Sequence, residues 1–477
     1  MEFYKKNEPQ VGYFVNEKST IFDRNYDNNV FWNENGLTVN NDGLDVLGAA
    51  IGSKNFVKSF CEKKYEDISI IINKLRKLSA LYPQQTFLVL SRSVKHRASY
   101  ISRTVPNAEV FAESYDKAIE DFLRTLFQQD LSEDILRQAE LPISFGGLGL
   151  SINSKEYCEN QYRNSKCITY PLVRHITHQE AFNLDKNTNL KNSIMAEKRK
   201  YWSEKVKFFT NGSRESQLRW EEFKMAGANL WLHCIPVEWK PNLSMPKQEF
   251  IDGLCLRFNL TPKNLPLFCP ASKCDASFTT VHADICNNGG TIHRRHDRVK
   301  NVLARYLEKS YGIGTTVIEP SLGHLDTDAL EYLSGNLSQK ARTDITVMGF
   351  EKPFVTCHID VSVISPVCES NKSNSVGLSI SSTEKKKESD YSMRIKEQLG
   401  GDFIPAIFSS GGGIGNSAKK IINLISQRLE SHTLNKLSDI KSEIKTDIVM
   451  ALLRSRVQNL RCSRSSIKDQ LMRMKNR

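Results

Sequence analysis

The spacing of apolar residues divides the first half of the chain into a short strand-rich region and a long helical one. Residues 11–53 carry brief apolar runs separated by Asn- and Asp-rich turns, which is typical of short strands. Apolar residues recur at the helical period through residues 54–140, for example at Ile68, Ile72 and Leu75. A polar, helix-like pattern follows through residues 155–228. The pattern predicts a mostly helical N-terminal half.

The second half of the chain is predicted to mix strands and helices. After a proline-rich boundary at residues 261–270, the segment from His293 predicts a helix with one apolar face. Two runs that alternate with period two, RTDITVMGF and FVTCHIDVSVIS, predict strands. We expect a Ser- and Asn-rich loop at residues 366–383, a helix from about Glu384, and basic helices after the glycine run at 409–415. These elements predict an α+β protein of several domains.

Composition indicates the cellular location that we expect for such a protein. The apolar content of 39% is enough to bury cores, whereas the mean hydropathy of −0.43 and the lack of any apolar run of about 20 residues argue against a membrane span. The segment MEFYKKNEPQ has no signal-peptide core. Eleven scattered cysteines argue against a disulfide framework. We therefore expect an intracellular protein, nuclear or cytoplasmic, with no membrane partner.

The charge balance favours a polyanionic partner. The net charge is +12, and the segment from residue 416 to the end holds 14 basic against 5 acidic residues, an excess of nine. Lys and Arg side chains placed on phosphates release counterions, so an excess of this size favours nucleic acid. An acidic protein or a membrane surface also remains compatible with the composition alone.

A compact cysteine and histidine cluster predicts a structural zinc site. Cys269, Cys274, His282 and Cys286 follow the spacing C-x4-C-x7-H-x3-C. Thiolates and imidazole are the usual zinc ligands, and four of them close a tetrahedral site. His293 or His296 can substitute for one ligand in this pattern, and the alternative interpretation is a set of core cysteines with a surface histidine.

Two strand aspartates predict a magnesium site. Asp344 and Asp360 lie in the two alternating runs, so pairing of these strands brings their carboxylates close enough to hold one Mg²⁺. In the common nuclease signature a lysine follows the second carboxylate by two residues, but Ser362 occupies that place. Lys387 is the candidate for a displaced lysine, with Lys386 as the near alternative. The competing interpretation places the aspartates and the EKKKE segment on solvated faces.

The order of these motifs resembles that of a known family. The chain is similar to the C-terminal half of non-LTR retrotransposon polyproteins that carry a restriction-enzyme-like endonuclease. The matches, spread over nearly the full chain, are Gly12-Tyr13-Phe14 with Asn16 and Lys18, Leu47-Gly48 with Gly52, LPISFGGLGL at 141–150, the CCHC cluster, Arg295-His296-Asp297, Arg342-x-Asp344, Asp360-Val361, Lys387-x-x-x-Tyr391 and the glycine run at 411–415.

The resemblance implies an order of domains. It comprises the end of a reverse transcriptase palm-like region at 1–53, a helical thumb-like domain at 54–152, a helical linker region at 153–260, a CCHC zinc knuckle at 261–290, a PD-(D/E)xK-type endonuclease core at 291–415 and a basic helical segment at 416–477. It also implies a DNA target, with element RNA as a further candidate partner. The candidate nucleic-acid contacts are Arg294, Arg295 and His296 at a helix start, and Lys386 and Tyr391.

The resemblance also implies a missing activity. In this family the polymerase aspartates precede the Gly-Tyr-Phe strand, and no Tyr/Phe-x-Asp-Asp box occurs in the chain. We expect no primer extension on an RNA template by the purified chain; clear product in that assay contradicts the expectation. Three functions stay open: a Mg²⁺-dependent nicking endonuclease that binds nucleic acid, an inactive nucleic-acid-binding remnant, and a host protein that uses the fold as a scaffold.

Overall fold

The computed structural model describes residues 42–150, 155–178, 184–271, 274–323, 336 and 338–461, and the strands at 20–21 and 38–39. Two compact units divide the chain, the first taking Met1–Lys77, Val89–Leu123 and Leu150–Ala196, the second Leu78–Leu88, Arg124–Gly149 and Glu197–Arg477. The described residues form a mixed α and β protein with small sheets, so the predicted fold class is confirmed at this level. Among the described helices, none has the length and apolar character to cross a membrane.

The first unit contains two small sheets. They are the parallel pair β1 (Thr20–Ile21) and β2 (Thr38–Val39), and the antiparallel hairpin of β3 (Gly43–Val46) and β4 (Ala49–Gly52). Leu47 and Gly48 both have positive φ and form the two-residue turn of the hairpin. Tyr100 donates a hydrogen bond from Oη to Leu47 O over 2.7 Å. This hairpin contains the matched residues Leu47, Gly48 and Gly52, whereas the matched residues from Gly12 to Lys18 lie outside the described residues.

Helices dominate the chain up to the cysteine cluster, as predicted. They are α1 (Lys54–Ser79), α2 (Pro83–Val89), a π-helical turn (Leu90–Val94), α3 (Lys95–Thr104), α4 (Glu113–Phe127), α5 (Glu133–Glu140), α6 (Lys155–His178), α7 (Leu184–Thr210), α8 (Arg214–Phe223) and α9 (Lys247–Phe258). Short 3₁₀ segments lie at Ala108–Phe111, Ile143–Phe145, Leu230–His233 and Pro241–Leu243. In the first unit, Tyr65 of α1 and Tyr115 of α4 are fully buried with ring centroids 6.1 Å apart.

The second unit includes two segments that the predicted boundary at residue 152 assigns to the thumb-like domain. In the first of them, Gln84 donates a hydrogen bond from Nε2 to Leu243 O over 2.9 Å. Phe87 packs on Phe250 with ring centroids 5.9 Å apart. These tertiary contacts, which no local pattern signals, tie residues 78–88 to the second unit, so its limits differ from the predicted domain limits.

The glycines after α5, in the matched segment 141–150, form a tight turn. Gly146 has φ +86°, and a Cβ there would lie 2.2 Å from the ring of Trp220. A Cβ on Gly147 would lie 2.0 Å from Leu141 O, so this position also requires glycine. Arg257 contacts the turn directly, because its Nη2 donates a hydrogen bond to Gly147 O over 3.0 Å. The turn is therefore packed into the second unit.

A four-stranded sheet organises the C-terminal part of the second unit. Its strands are β5 (Thr316–Ile318), β6 (Ile345–Met348), β7 (Thr356–Ile364) and β8 (Asp402–Ser409), in the spatial order β5-β6-β7-β8. The first two pairings are antiparallel, and β7 pairs with β8 in parallel. The parallel pair requires a crossover connection, which a long helix provides. The two strands predicted from alternation, and their pairing, are confirmed.

Helices cover both faces of this sheet. The remaining helices are α10 (Thr280–Ile285), α11 (Thr291–Tyr311), α12 (Val376–Leu399), α13 (Asn416–Glu430) and α14 (Leu437–Arg461), with a 3₁₀ turn at Asn288–Gly290. Cys357, Ile359 and Val361 of β7 face a large apolar core that α11, α13 and α14 complete. Helix α12, the crossover, packs on the opposite face, which also carries Asp360.

Helix α12 begins earlier than predicted. It starts at Val376, and Ser375 caps it by accepting a hydrogen bond at Oγ from Leu378 N over 3.2 Å. The predicted loop at 366–383 is therefore too long, because Val376 and Ile380 form a buried helical face within a polar sequence. Lys387 consequently lies in the middle of a helix and not at its start.

The C-terminal helices are part of the core and not a separate basic segment. Ile421 and Ile425 of α13 and Ile444 and Ile448 of α14 are fully buried in the sheet core. Basic residues of α14 are partly used inside the unit: Arg461 pairs with Asp252 at 2.6 Å. The basic residues of this region therefore do not form a separate tail in its described part, which ends at residue 461.

Candidate active site and metal cluster

The four predicted zinc ligands converge on one point. The Sγ atoms of Cys269 and Cys286 are 3.8 Å apart, and Sγ of Cys274 lies 3.4 Å from Nε2 of His282. All four ligand atoms lie within 4.8 Å of one another. A tetrahedral ion about 2.3 Å from two sulfurs separates them by about 3.8 Å, which fits the observed distance. The cluster can therefore bind a metal ion such as zinc.

Local structure explains how so short a segment presents these ligands. Cys269 N donates to Ala276 O over 2.9 Å within a small antiparallel bridge. Thr279 caps α10 by accepting from His282 N over 3.0 Å, which orients the helix that carries the imidazole. A backbone hydrogen bond at Ala276 lowers the pKa of the Cys274 thiol, while burial raises the pKa of the Cys269 thiol.

The two alternative ligands do not belong to the cluster. His293 is exposed on α11, and it is not among the four converging residues. His296 instead places its Nε2 3.0 Å from Asp344 Oδ2. The choice of His282 as the histidine ligand is thus the one that the geometry supports.

The two predicted catalytic aspartates face each other across neighbouring strands. The antiparallel register pairs Ile345 with Ile359, so its extension by one residue sets Asp344 opposite Asp360. Asp344 Oδ2 accepts hydrogen bonds from Val361 N over 2.6 Å and from His296. The Oδ1 atoms of Asp344 and Asp360 accept no hydrogen bond from any residue in the described part of the chain. One oxygen of each aspartate is therefore available to a cation.

Lys387 reaches this pair from α12. Its Nζ lies 2.8 Å from Asp360 Oδ2 and 5.5 Å from the ring centroid of Tyr391, one turn further along the helix. Burial raises the pKa of Asp360, and the positive charge of Lys387 partly opposes this. Burial also disfavours the charged lysine, but attraction to Asp360 outweighs it and raises the pKa of Lys387. The ammonium is therefore charged at neutral pH.

His296 holds Asp344 in place. Its two ring nitrogens contact Asp344 Oδ2 at 3.0 Å and Asp297 Oδ1 at 3.2 Å. Burial lowers the pKa of the imidazole, but the hydrogen bonds and charges of the two carboxylates outweigh it, so the pKa of His296 is raised. An imidazole between two carboxylates fixes the orientation of Asp344 and leaves Oδ1 of that residue for another ligand.

Two neighbours of the site were missed from the sequence. Lys300 is buried one turn after His296 and pairs with Asp297 at 3.0 Å and with Glu319. The i, i+4 spacing of His296 and Lys300 puts them on one helix face, so this lysine had a recognisable signal. Glu319 had no such signal in the sequence. It lies near the site because its backbone N–H donates to Asp344 O over 2.9 Å.

The predicted nucleic-acid contacts separate into exposed and internal residues. Arg294 and Lys386 are exposed, and Arg294 Nη2 also donates to Gly289 O over 3.3 Å. Tyr391 is partly buried, stacks on Phe403 at 5.5 Å and accepts a hydrogen bond from Asn336. Arg295 is only 2% exposed. A buried guanidinium cannot reach a phosphate on a duplex, so the prediction for Arg295 is wrong.

Arg295 instead connects α11 to α10, the helix that carries His282 of the cysteine and histidine cluster. Its Nη1 donates to Asp284 Oδ1 over 2.6 Å, and Asp284 lies on α10 beside the cluster. Ser365 and Ser410 donate to the other oxygen of Asp284 over 2.9 and 2.6 Å. The attraction of Arg295 and Arg456, together with these hydrogen bonds, outweighs burial and lowers the pKa of Asp284.

Arg295 and Arg294 form a matched pair for a stability measurement. We expect Arg295→Met to lower the free energy of unfolding by about 3–5 kcal/mol, because it leaves Asp284 buried without this partner. Arg294→Met, which removes an exposed charge, should change it by less than about 0.5 kcal/mol. Urea denaturation of both variants measures the difference; equal losses would contradict the structural role of Arg295.

Neither a protein-family model nor a curated protein matches the chain. The chain has two candidate sites. They differ in kind: the cysteine cluster offers soft sulfur ligands in a closed arrangement, whereas the aspartate pair offers hard oxygen ligands beside a lysine.

Proposed function

We propose that this chain is a Mg²⁺-dependent endonuclease that nicks DNA. The observation that carries the proposal is the position of Lys387, whose ammonium lies 2.8 Å from Asp360 although it comes from a separate helix. Two carboxylates with one open oxygen each and a charged lysine form the donor set that a phosphodiester-cleaving site requires. Ser362 occupies the position where the common signature has its lysine, and in this proposal Lys387 of α12 provides the ammonium in its place.

The donor set suits magnesium. Carboxylate oxygens are the ligands that Mg²⁺ prefers, and Asp344 and Asp360 can supply two while waters and a phosphate fill other positions. A bound Mg²⁺ supplies Lewis-acid polarisation of a phosphate and a water of lowered pKa. His296 orients Asp344 for this role. Lys387, charged because of Asp360, offsets negative charge that develops on the phosphate, and its raised pKa argues against a role as general base.

The cysteine cluster is proposed to hold a structural zinc ion. Three thiolates and one imidazole close the coordination sphere and leave no position for a substrate. Through Asp284 and Arg295 the cluster is tied to α11, the helix that also carries His296. In this proposal zinc stabilises the frame on which the aspartate site is built.

The proposed partner is DNA, with element RNA as a second nucleic acid, and the proposed origin is a non-LTR retrotransposon polyprotein. The net charge of +12 and the exposed side chains of Arg294 and Lys386 support a polyanion. No polymerase activity is proposed, and a nuclear or cytoplasmic setting follows from the proposed substrate.

Nicking of supercoiled plasmid by the purified chain tests the proposal. We expect open circular product with Mg²⁺, none with EDTA, and none with Asp360→Asn. The alternative, an inactive binding remnant, gives salt-dependent DNA binding without cleavage for both wild type and Asp344→Asn. Cleavage that survives Asp360→Asn would refute the assignment of the site.

A further inference from the structure

A cavity outside the aspartate site lies between α8, α9, α14 and the loop after β8. It encloses about 90 Å³, several times the roughly 10–15 Å³ that one water requires, but far less than the roughly 300 Å³ of a pocket for a larger ligand. Its lining contains neither Asp344 nor Asp360. Three arginines from distant parts of the sequence line it: Arg219, Arg257 and Arg456.

Arg219 has no anionic partner in this cavity. Its Nε and Nη1 atoms are buried without a hydrogen bond, and no described residue forms an ion pair with it. Burial and then repulsion from Arg456 lower the pKa of Arg219 to about 10, so the group stays charged at neutral pH. A buried charged donor without a partner costs free energy, which an anion in the cavity would recover.

The other two arginines strengthen the positive field. Arg456 Nε lies 3.5 Å from Asp284 Oδ1 and also lacks a hydrogen bond, because that carboxylate is already bonded to Arg295. Arg257 is held by backbone carbonyls, and burial followed by repulsion from Arg219 lowers its pKa to about 9. Each arginine is therefore under-neutralised by its neighbours.

The acidic groups around the cavity do not balance these charges. Glu222 accepts a hydrogen bond at Oε1 from Gly411 N over 2.9 Å, and burial raises its pKa. Glu215 lies at the exposed rim. Among the buried groups, four guanidiniums, including Arg295 behind Asp284, face two carboxyls, which leaves an excess of two positive charges.

We infer that this cavity is an oxyanion site that takes a single phosphate group, with Arg219 and Arg456 as its principal donors. The planar forks of two arginines suit the several acceptor oxygens of a tetrahedral phosphate. The volume admits the phosphate group but not a base and sugar. The site is distinct from the aspartate pair and does not depend on nuclease activity.

Thermal unfolding of the full chain with inorganic phosphate tests this site. At equal ionic strength we expect sodium phosphate, but not sodium chloride, to raise the unfolding midpoint of the wild type. Arg219→Met and Arg456→Gln should each weaken phosphate binding at least about ten-fold, the loss expected for a charged hydrogen bond. Lys224→Met is the matched control: it removes an exposed charge just after α8 and should retain the full shift.

A second readout separates loss of the site from loss of the fold. In phosphate-free buffer Arg219→Met should be at least as stable as the wild type, because it removes a buried unpaired charge. A phosphorylated oligonucleotide compared with its 5′-hydroxyl form tells whether the source is a nucleic-acid end or free phosphate; a shift with either source supports the site. No phosphate-specific shift in the wild type, or an undiminished shift in both arginine variants, overturns it.

Discussion

Replacement of Lys387 by methionine should reduce Mg²⁺-dependent nicking about 10²–10³-fold, the usual cost of one group that stabilises transition-state charge. Lys387 is the single cation within 2.8 Å of a candidate metal ligand among the described residues. The same change at Lys386, an exposed neighbour on α12, should leave the rate nearly unchanged. Initial rates of plasmid nicking under single-turnover conditions measure both variants.

The pH dependence of the Lys387→Met variant separates two roles for the lysine. Burial already raises the pKa of Asp360, and loss of Lys387 should raise it further, because the lysine charge opposes the effect of burial. If protonation of Asp360 caused the defect, activity of the variant would recover as the pH is raised. We expect no such recovery, because a Mg²⁺ ion at the proposed site would keep Asp360 ionised. Full activity of the variant at neutral pH would exclude the proposed role.

The strands of the site and the helix that completes it were predictable, but the start of that helix was not. Period-two alternation identified the runs that hold Asp344 and Asp360, because one face of each strand is buried. The start of α12 was missed because Ser375 and its neighbours look like a loop until Val376 and Ile380 are seen packed. Placing Lys387 on a mid-helix turn is what brings it to the strand.

Burial of charge is the feature that local sequence reasoning could not supply. Arg294 and Arg295 are adjacent at a helix start, and both suit a phosphate by sequence. The structure buries Arg295 against Asp284 and exposes Arg294, because the helix presents successive residues to different sides. The arginine cavity was invisible for the same reason, since Arg219 and Arg456 are brought together by tertiary folding.

The cysteine and histidine cluster is structurally connected to the aspartate site. Helix α10 carries His282 and Asp284, and α11 carries Arg295 and His296, so the Asp284–Arg295 ion pair lies between the two sites. Loss of order at the cluster would release Asp284, and the helix that positions His296 would lose its buried partner. The cluster should therefore affect cleavage without contacting DNA.

Removal of the metal should produce the largest loss of stability. We expect one zinc ion per chain, and we expect Cys269→Ser or chelation to lower the free energy of unfolding by several kcal/mol. The loss should stay below the roughly 10–16 kcal/mol typical of isolated zinc-finger peptides, because the Asp284–Arg295 pair still anchors the segment. Cys368→Ser is the matched control, since Cys368 lies outside the cluster and is partly exposed.

Three measurements decide this prediction. Metal analysis gives the stoichiometry, thermal unfolding gives the stability of both cysteine variants, and cobalt(II) substitution gives the visible absorption of a tetrahedral thiolate site. Because the cluster is connected to α11 through the Asp284–Arg295 ion pair, Cys269→Ser should also lower nicking, whereas Cys368→Ser should leave it unchanged. Equal stability of the two variants, or a purified chain that binds no zinc when it is supplied, would show that the four ligands form an ordinary polar cluster.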